Sequence, residues 1–318
     1  VRSPYPHARF TIGDLAALFA RHPGLVRVLT AADIPGQNRY GIYPAGKDQQ
    51  ALADGYVRHR GEAVAALVGD AETVAAIRDS ELPVAWTILP PVTFDDALSR
   101  DPLHPHLPDN VLCRGRVARG DAAAIGEHKA TIAIETGFVE HAYIEPEAGY
   151  ARRVGDRIEV VACTQTPYMD RDEIALILGL QPAQVRVVPT ATGGGFGGKL
   201  DLSLQPLVAT AAWLLDRPVR CVYARSESMA STTKRHPARI SASASCDADG
   251  RMRSFRFHAD FNTGAYASWG PTVASRVPVH ATGPYRVPNV LAETQALHTT
   301  DPPAGAFRGF GVPQAAIA

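Results

Sequence analysis

The 318 residues include 32 Lys+Arg and 32 Asp+Glu, so the chain carries no formal net charge with histidine neutral. That balance excludes a long-range field for nucleic acid or an anionic membrane surface, and no apolar run is long enough to span a bilayer. Cys113, Cys163, Cys221 and Cys246 are widely spaced with no C-x-x-C pair, which argues against an iron–sulfur cluster or structural zinc site on this chain and for small buried thiols.

The length predicts two domains. Residues 13–20 carry a helical pattern that runs out at His22-Pro23-Gly24, and residues 25–29 alternate as a strand. Residues 62–68 read as a buried strand, and Asp70 as the N-cap of a helix over 71–80. Residues 83–89 form a further strand closed by Pro90-Pro91. The prolines of residues 101–110 are incompatible with a helix interior or a central strand. The boundaries expected are therefore a first domain over 1–100, a linker over 101–120 and a second domain over 121–318. His104 and His106 are expected to be solvated, since no carboxylate or thiol nearby completes a metal site.

The second domain alternates strands and helices. Strands are expected at 131–134, 157–162 and 185–188, and helices at 168–179 and 202–215, the latter almost wholly apolar. Residues 238–246 and 251–261 form a hairpin across Asp247-Ala248-Asp249-Gly250.

Between the strand at 185–188 and the helix at 202–215 lies Gly193-Gly194-Gly195-Phe196-Gly197-Gly198-Lys199. Such a backbone can take positive φ and present its N–H groups closely to a ligand. Gly193-x-x-x-x-Gly198-Lys199 matches most of a phosphate-binding P-loop, but Leu200 stands where that loop needs the hydroxyl that binds Mg²⁺. A plain structural turn is the other reading of the loop alone. A second segment, Ala306-Phe307-Arg308-Gly309-Phe310-Gly311, repeats its glycine-and-aromatic recipe, and Val139-Glu140-His141-Ala142-Tyr143-Ile144-Glu145-Pro146-Glu147 crowds acidic and aromatic residues around one histidine. Separated loops of this kind are expected to converge on a cofactor pocket.

Taken in order, these segments resemble the molybdenum-cofactor subunit of the xanthine dehydrogenase/aldehyde oxidase family. Residues 2–9, Glu140-His141-x-Tyr143-Ile144-Glu145-Pro146-Glu147, Thr164-Gln165-x-Pro167, the 193–199 loop and the 306–311 loop carry the resemblance, which covers nearly the whole chain. It implies an α+β fold, an N-terminal α/β hammerhead domain followed by a mixed α/β molybdopterin-binding domain. It also implies a molybdenum hydroxylase that oxidises an N-heteroaromatic compound or an aldehyde, with water as the oxygen source. The cofactor implied is molybdenum–molybdopterin, in the plain or the cytosine dinucleotide form, its metal held by the pterin dithiolene and by no side chain. The implied partners are a C-terminal half of the molybdenum subunit, a [2Fe–2S] subunit and an FAD subunit, arranged as a dimer of heteromers in the cytoplasm.

Residue roles follow from the same resemblance. Gly195, Phe196, Gly197, Gly198 and Arg308 match cofactor-facing positions, Phe310 matches an aromatic that stacks on a planar substrate, and Arg276 matches a pocket arginine. On its own residues Arg276 reads as a helix-surface cation. Two departures bear on substrate. Val139 stands where purine-oxidising members have Gln, and Leu200 where they have a Glu that hydrogen-bonds the purine, so the expected substrate is a less polar aldehyde or another N-heteroaromatic acid. They equally leave open a non-catalytic binding or assembly module of the same fold. The family's general-base glutamate lies nearer the C-terminal end of a complete subunit, and none of Glu135, Glu140, Glu145 or Glu147 matches it. The chain is expected to be either a fragment or one half of a split subunit, and inactive by itself.

Overall fold

Apolar residues at Ala8, Phe10 and Ile12 alternate with exposed Arg9 and Thr11, and this period of two builds β1 (Ala8–Ile12). The computed structural model describes residues 1–44, 46–121 and 123–318. The chain divides into two units, one comprising residues 1–91, 142–232 and 300–302, the other residues 92–141, 233–299 and 303–318.

In the first ninety residues β1 is followed by α1 (Ala16–Arg21), β2 (Leu25–Leu29), β3 (Tyr56–Val57), β4 (Ala66–Gly69), α2 (Ala71–Ala76) and β5 (Val84–Ile88). β1 pairs antiparallel with both β3 and β5, and β2 with β4. Three local expectations shift. The helix expected from residue 13 starts at Ala16, because the Asp14 carboxylate accepts the Ala16 N–H at 2.9 Å and keeps the entry outside the helix. The strand expected over 62–68 begins only at Ala66: before it Ala63 makes a single bridge to Arg2, and the Val64 and Ala65 N–H groups donate to the Val1 carbonyl. The helix expected over 71–80 stops at Ala76. Asp70 occupies its N-cap but makes no side-chain cap bond, and Ile77 turns extended to join the core around Leu18, Leu25 and Val28. Tertiary burial overrides helix propensity there.

The second unit begins with β6 (Val111–Arg119) and β7 (His128–Thr136). β6 lies inside the stretch expected to be a linker, and residues 101–110 before it belong to the second unit as well, with Leu103 packed beside Val92, Ala97 and Val111. Alternate arginines at 114 and 116 mask its strand signal, as befits an edge strand with one wet face. His104 is corrected too: it is buried, its Nε2 lies 2.8 Å from the Ala265 carbonyl and its ring packs on His298, whereas His106 is exposed.

Residues 142–232 return to the first unit as β8 (Ala148–Val154), β9 (Arg157–Ala162), α3 (Pro167–Leu178), β10 (Val185–Pro189), α4 (Gln205–Leu215), β11 (Val219–Val222) and α5 (Arg225–Ser231). The strands order as β10-β9-β8-β11, and β9 and β10 run parallel. Parallel neighbours need a crossover, and α3 supplies it. Pro167 presets its first turn, and Gly179 ends it at φ +68°. α4 starts three residues later than expected, at Gln205, with Pro206 in its first turn. Its buried face packs Val208, Ala209 and Ala212 against Ile158, Val160 and Ile174. A Cβ at Gly149 would stand 3.0 Å from Leu204 Cδ1 and 2.8 Å from the Val161 carbonyl oxygen, so glycine is what lets this layer close.

The remainder completes the second unit: β12 (Ala238–Cys246), β13 (Met252–Gly264), α6 (Gly270–His280), β14 (Asn289–His298) and α7 (Val312–Ala316). Its five-stranded sheet runs β6-β14-β13-β12-β7, antiparallel except for β13 and β14. α6 is the crossover of that parallel pair. Small residues let it sit close: Ala259, Ala274, Ala292 and Ala296 are buried together, and the Thr294 hydroxyl donates to the Ala274 carbonyl at 2.6 Å. Each unit therefore contains one β-α-β crossover. No helix among the described residues is long and apolar enough to cross a membrane, and all four cysteines are free.

Candidate cofactor-binding loops

Both glycine-rich loops follow the second strand of a β-α-β crossover, the first after β10 and the second after β14. The C-terminal ends of parallel strands are where open α/β layers place ligands. Each loop contains Gly-Phe-Gly, and in each the phenylalanine is left-handed: Phe196 at φ +52° and Phe310 at φ +46°. Holding a non-glycine residue there costs roughly 1–2 kcal/mol, a strain that persists when surrounding contacts over-determine the loop. Phe196 is nonetheless 51% exposed. An aromatic that is both strained and exposed is held for something other than core packing.

The contacts that hold Phe196 are specific. Glu145 Oε2 accepts the Gly193 N–H at 2.8 Å and the Lys199 ammonium at 2.7 Å, so one carboxylate oxygen ties both ends of the loop. Lys199 also donates to the Glu145 carbonyl at 2.9 Å, lies 4.6 Å from the Tyr143 ring centroid and has a side chain only 2% exposed. Burial pulls the Glu145 pKa up, but Lys199 and the Gly193 N–H outweigh it and the carboxyl sits below its usual range. From the other side Gln165 Oε1 accepts the N–H groups of Gly197 at 3.1 Å and Lys199 at 3.2 Å, while the Gln165 N–H donates to the Lys199 carbonyl.

Space is equally constrained. A Cβ at residue 193 would stand 2.6 Å from Glu145 Cβ, at 194 2.9 Å from Tyr143 Cβ, and at 195 2.5 Å from Gln165 Oε1. Gly194 and Gly197 hold φ +98° and +105°. Among the described residues the N–H groups of Gly194, Gly195 and Phe196 have no acceptor within the chain, whereas those of Gly193 and of residues 197–200 do. Three successive unclaimed donors on a strained loop form a surface suited to an anionic oxygen. Lys199 points into the protein and binds Glu145, so it is no phosphate lysine, and this removes the P-loop reading alongside Leu200.

In the second unit Phe307 is half-buried and anchors the loop. The His141 ring stacks on it at 4.2 Å between centroids, and the Arg235 guanidinium lies 3.9 Å from its centroid. His141 Nε2 meets the Ala306 carbonyl at 2.8 Å, and Arg235 donates to the Arg308 carbonyl at 2.9 Å. Burial holds the His141 pKa below its usual value, so its imidazole is neutral at pH 7. Beyond this anchor Arg308 and Gly309 are exposed and Phe310 is half-buried. Phe310 packs edge-to-face with Trp269 at 5.7 Å, and the exposed Arg276 guanidinium lies 5.1 Å from its centroid. Arg276 lies on α6 seven residues after Trp269, two turns along one face, which is why both reach the same ring. Arg276 is thus a surface cation of α6 and a neighbour of Phe310 at once.

Gly195, Phe196, Gly197 and Gly198 are brought together in the first unit, and Arg276, Arg308 and Phe310 share one neighbourhood in the second. Sequence reasoning singled out none of Glu145, Gln165, Lys199, His141 and Arg235 as a holder of these loops. The first four lie in the motifs that carry the resemblance; nothing in the sequence around Arg235 marks it.

Residues 103–318 match the molybdopterin cofactor-binding domain family, and residues 1–89 the aldehyde oxidase and xanthine dehydrogenase a/b hammerhead domain family. The chain is 37% identical over 322 aligned positions to the nicotinate dehydrogenase large molybdopterin subunit of Eubacterium barkeri, covering 99% of this chain and 75% of that one. Among solved structures it superimposes on the aldehyde oxidoreductase from Desulfovibrio gigas with a TM-score of 0.93 at 25% identity, and on quinoline 2-oxidoreductase from Pseudomonas putida 86 with 0.90 at 29%. The alignments cover 99% and 98% of this chain but only 36% and 42% of those two.

Proposed function

We infer the function from one fact: the chain belongs to the xanthine dehydrogenase/aldehyde oxidase family of molybdopterin-dependent oxidoreductases, in their large, molybdenum-cofactor subunit. It forms part of a molybdenum hydroxylase that oxidises an N-heteroaromatic compound or an aldehyde. Water supplies the oxygen, and electrons leave through iron–sulfur and FAD partners. The observation that carries this reading is the first Gly-Phe-Gly loop. A Cβ at residue 193, 194 or 195 would meet a neighbour at 2.9 Å or less, and among the described residues the N–H groups at 194–196 lack acceptors, which fits an oxygen ligand of a bound molybdenum–pterin group.

When bound, that group supplies the redox chemistry at carbon. The chain's own residues do the rest. Gly194, Gly195 and Phe196 offer fixed dipoles to a negative oxygen, and Gly197 and Gly198 let the backbone approach. Phe196 walls that place from one side. In the second unit Arg308 supplies a cation toward the cofactor, Phe310 a stacking face for a planar substrate, and Arg276 a positive charge beside that face. The general base is contributed by a segment outside residues 1–318, and residues 1–100 act as the hammerhead domain that precedes the cofactor-binding part.

Leu200 sets the substrate preference. An apolar side chain in place of a hydrogen-bonding carboxylate forfeits the discrimination that a polar purine gives, so an N-heteroaromatic acid or an aldehyde is preferred over xanthine. The name of the Eubacterium barkeri relative agrees with an N-heteroaromatic acid. The test is steady-state kinetics of the enzyme assembled with its partner subunits. Xanthine should show a kcat/KM at least about tenfold below the best aromatic acid or aldehyde. Equal values for xanthine would refute the preference, and a stable, metal-free complex would support the non-catalytic module instead.

A further inference from the structure

Glu145, Tyr143 and Gln165 of the first unit converge on the backbone of residues 193–199 and leave Phe196 outside. Of these, Glu145 has a singular position. Its one oxygen receives the N–H at the start of the loop and the ammonium at its end, 2.8 and 2.7 Å away. Its backbone N–H returns a bond to the Gly193 carbonyl at 3.2 Å, and its carbonyl takes a second bond from Lys199. The loop is closed into a ring through a single carboxylate.

We infer that Glu145 and Lys199 form a latch that sets the position of Phe196 and of the three unclaimed N–H donors, which makes both of them positioning residues for the cofactor. The inference rests on the function proposed above and deepens it. Three physical points carry it. Phe196 and Gly197 are held at φ +52° and +105°, and such conformations persist only under outside constraint. Charge-assisted hydrogen bonds inside a protein are the strong ones, and both partners of this pair are shielded, Lys199 almost completely. Finally, among the described residues Gln165 hydrogen-bonds the second half of the loop, at Gly197 and Lys199, while Glu145 is the side chain that hydrogen-bonds the first half, at Gly193. Releasing Glu145 frees the half that carries the unclaimed donors.

Simple stabilisation by a shielded ion pair is the competing account, and the same unit contains its control. Lys47 and Glu173 form another ion pair, with side chains 21% and 11% exposed, and Glu173 also accepts the Gly41 N–H; neither touches the 193–199 loop. The experiment compares Glu145→Ala, Lys199→Met and Glu173→Gln in the assembled enzyme. It reads hydrogen exchange of the 193–199 amides by mass spectrometry, molybdenum per chain, and kcat and KM normalised to bound molybdenum.

The latch predicts amide exchange about ten- to a hundredfold faster in both loop variants, since a hydrogen bond to a charged group is lost. Molybdenum content should fall several-fold, and the kcat of the loaded fraction about tenfold with KM within about twofold. Glu173→Gln should leave loop exchange, loading and kcat at wild-type values. Wild-type exchange and loading in Glu145→Ala would overturn the latch, and so would equal losses in Glu173→Gln. Should the wild-type assembly itself contain no molybdenum, the functional reading falls, and the exchange arm still decides whether the latch exists.

Discussion

Phe196 concentrates the account at the scale of a single residue, because its conformation costs energy and its side chain recovers little by burial. Replacing it with glycine relieves the left-handed strain, so Phe196→Gly should leave the melting temperature unchanged or raise stability by up to about 1 kcal/mol while molybdenum-dependent turnover drops. A clear loss of stability in that variant would show that the ring is a packing element. Gly195→Ala should do the opposite, destabilising by about 1 kcal/mol in chemical denaturation, because its Cβ would push the Gln165 side chain off the Gly197 and Lys199 N–H groups. His236 gives a residue-scale pH dependence. Burial, with the nearby Arg235 charge, pushes its pKa down to about 3. Between pH 6.5 and 3 the unfolded chain therefore binds more protons than the folded one, and stability falls as pH falls through that window. Denaturation at pH 7 and 4.5 should show wild type losing about 2–3 kcal/mol more than His236→Gln; parallel losses would mean that this imidazole does not stay neutral in the fold. The glycines and phenylalanines of both loops were legible as residues. Lys199 was legible only as a suggestion of phosphate binding, because a sequence does not say whether a lysine faces a ligand or turns inward onto Glu145.

Helix α3 shows what the element scale adds. Pro167 and Gly179 mark its ends in the sequence, and the expected span of 168–179 differs from Pro167–Leu178 by one residue at each end. The helix was legible because its start and stop signals are local. Its consequence was not: Asp170, in the first turn, is buried, accepts a hydrogen bond from Gln205 at 3.2 Å, and burial raises its pKa to about 7. Here the folded state binds the extra proton, so this group's contribution to stability falls as pH rises from 3.8 through 7. Asp170→Asn should therefore stabilise the protein more at pH 8 than at pH 5, by about 2–3 kcal/mol of difference in denaturation experiments. A pH-independent effect would contradict the buried, protonated carboxyl. Some strands were read as closely as α3, β2 at 25–29 and β9 at 157–162 falling where expected. The hairpin of β12 and β13 announces itself through its turn, and β12 falls at 238–246 as expected. β6 and β14 pair at a sequence distance of more than 150 residues, with arginines and polar residues on one face, and no local pattern distinguishes such strands from loops. β8 and α6, the latter with a proline inside it, escaped for related reasons: their existence depends on the layer they cover.

On the scale of the molecule, the order of motifs said more than any one of them. Each loop alone is compatible with a turn or a phosphate cradle. Their sequence along the chain points to one family, to which the comparisons assign it over nearly its full length. What composition and periodicity could not show is that each unit is assembled from separated stretches of chain, with residues 142–232 joining residues 1–91. Discontinuous units are built by long-range pairing, and long-range pairing leaves no local signature. The central claim is that the two Gly-Phe-Gly loops belong to a molybdenum-loaded hydroxylase. The measurement that tests it most directly is the molybdenum and pterin content of the enzyme purified with its partner subunits, taken together with dye reduction by aromatic acids and aldehydes. The account predicts close to one molybdenum per chain, with substrate-dependent reduction that falls at least about tenfold in the Glu145→Ala latch variant. A well-folded complex without molybdenum, or a loaded one that reduces dye with none of these substrates, would contradict it.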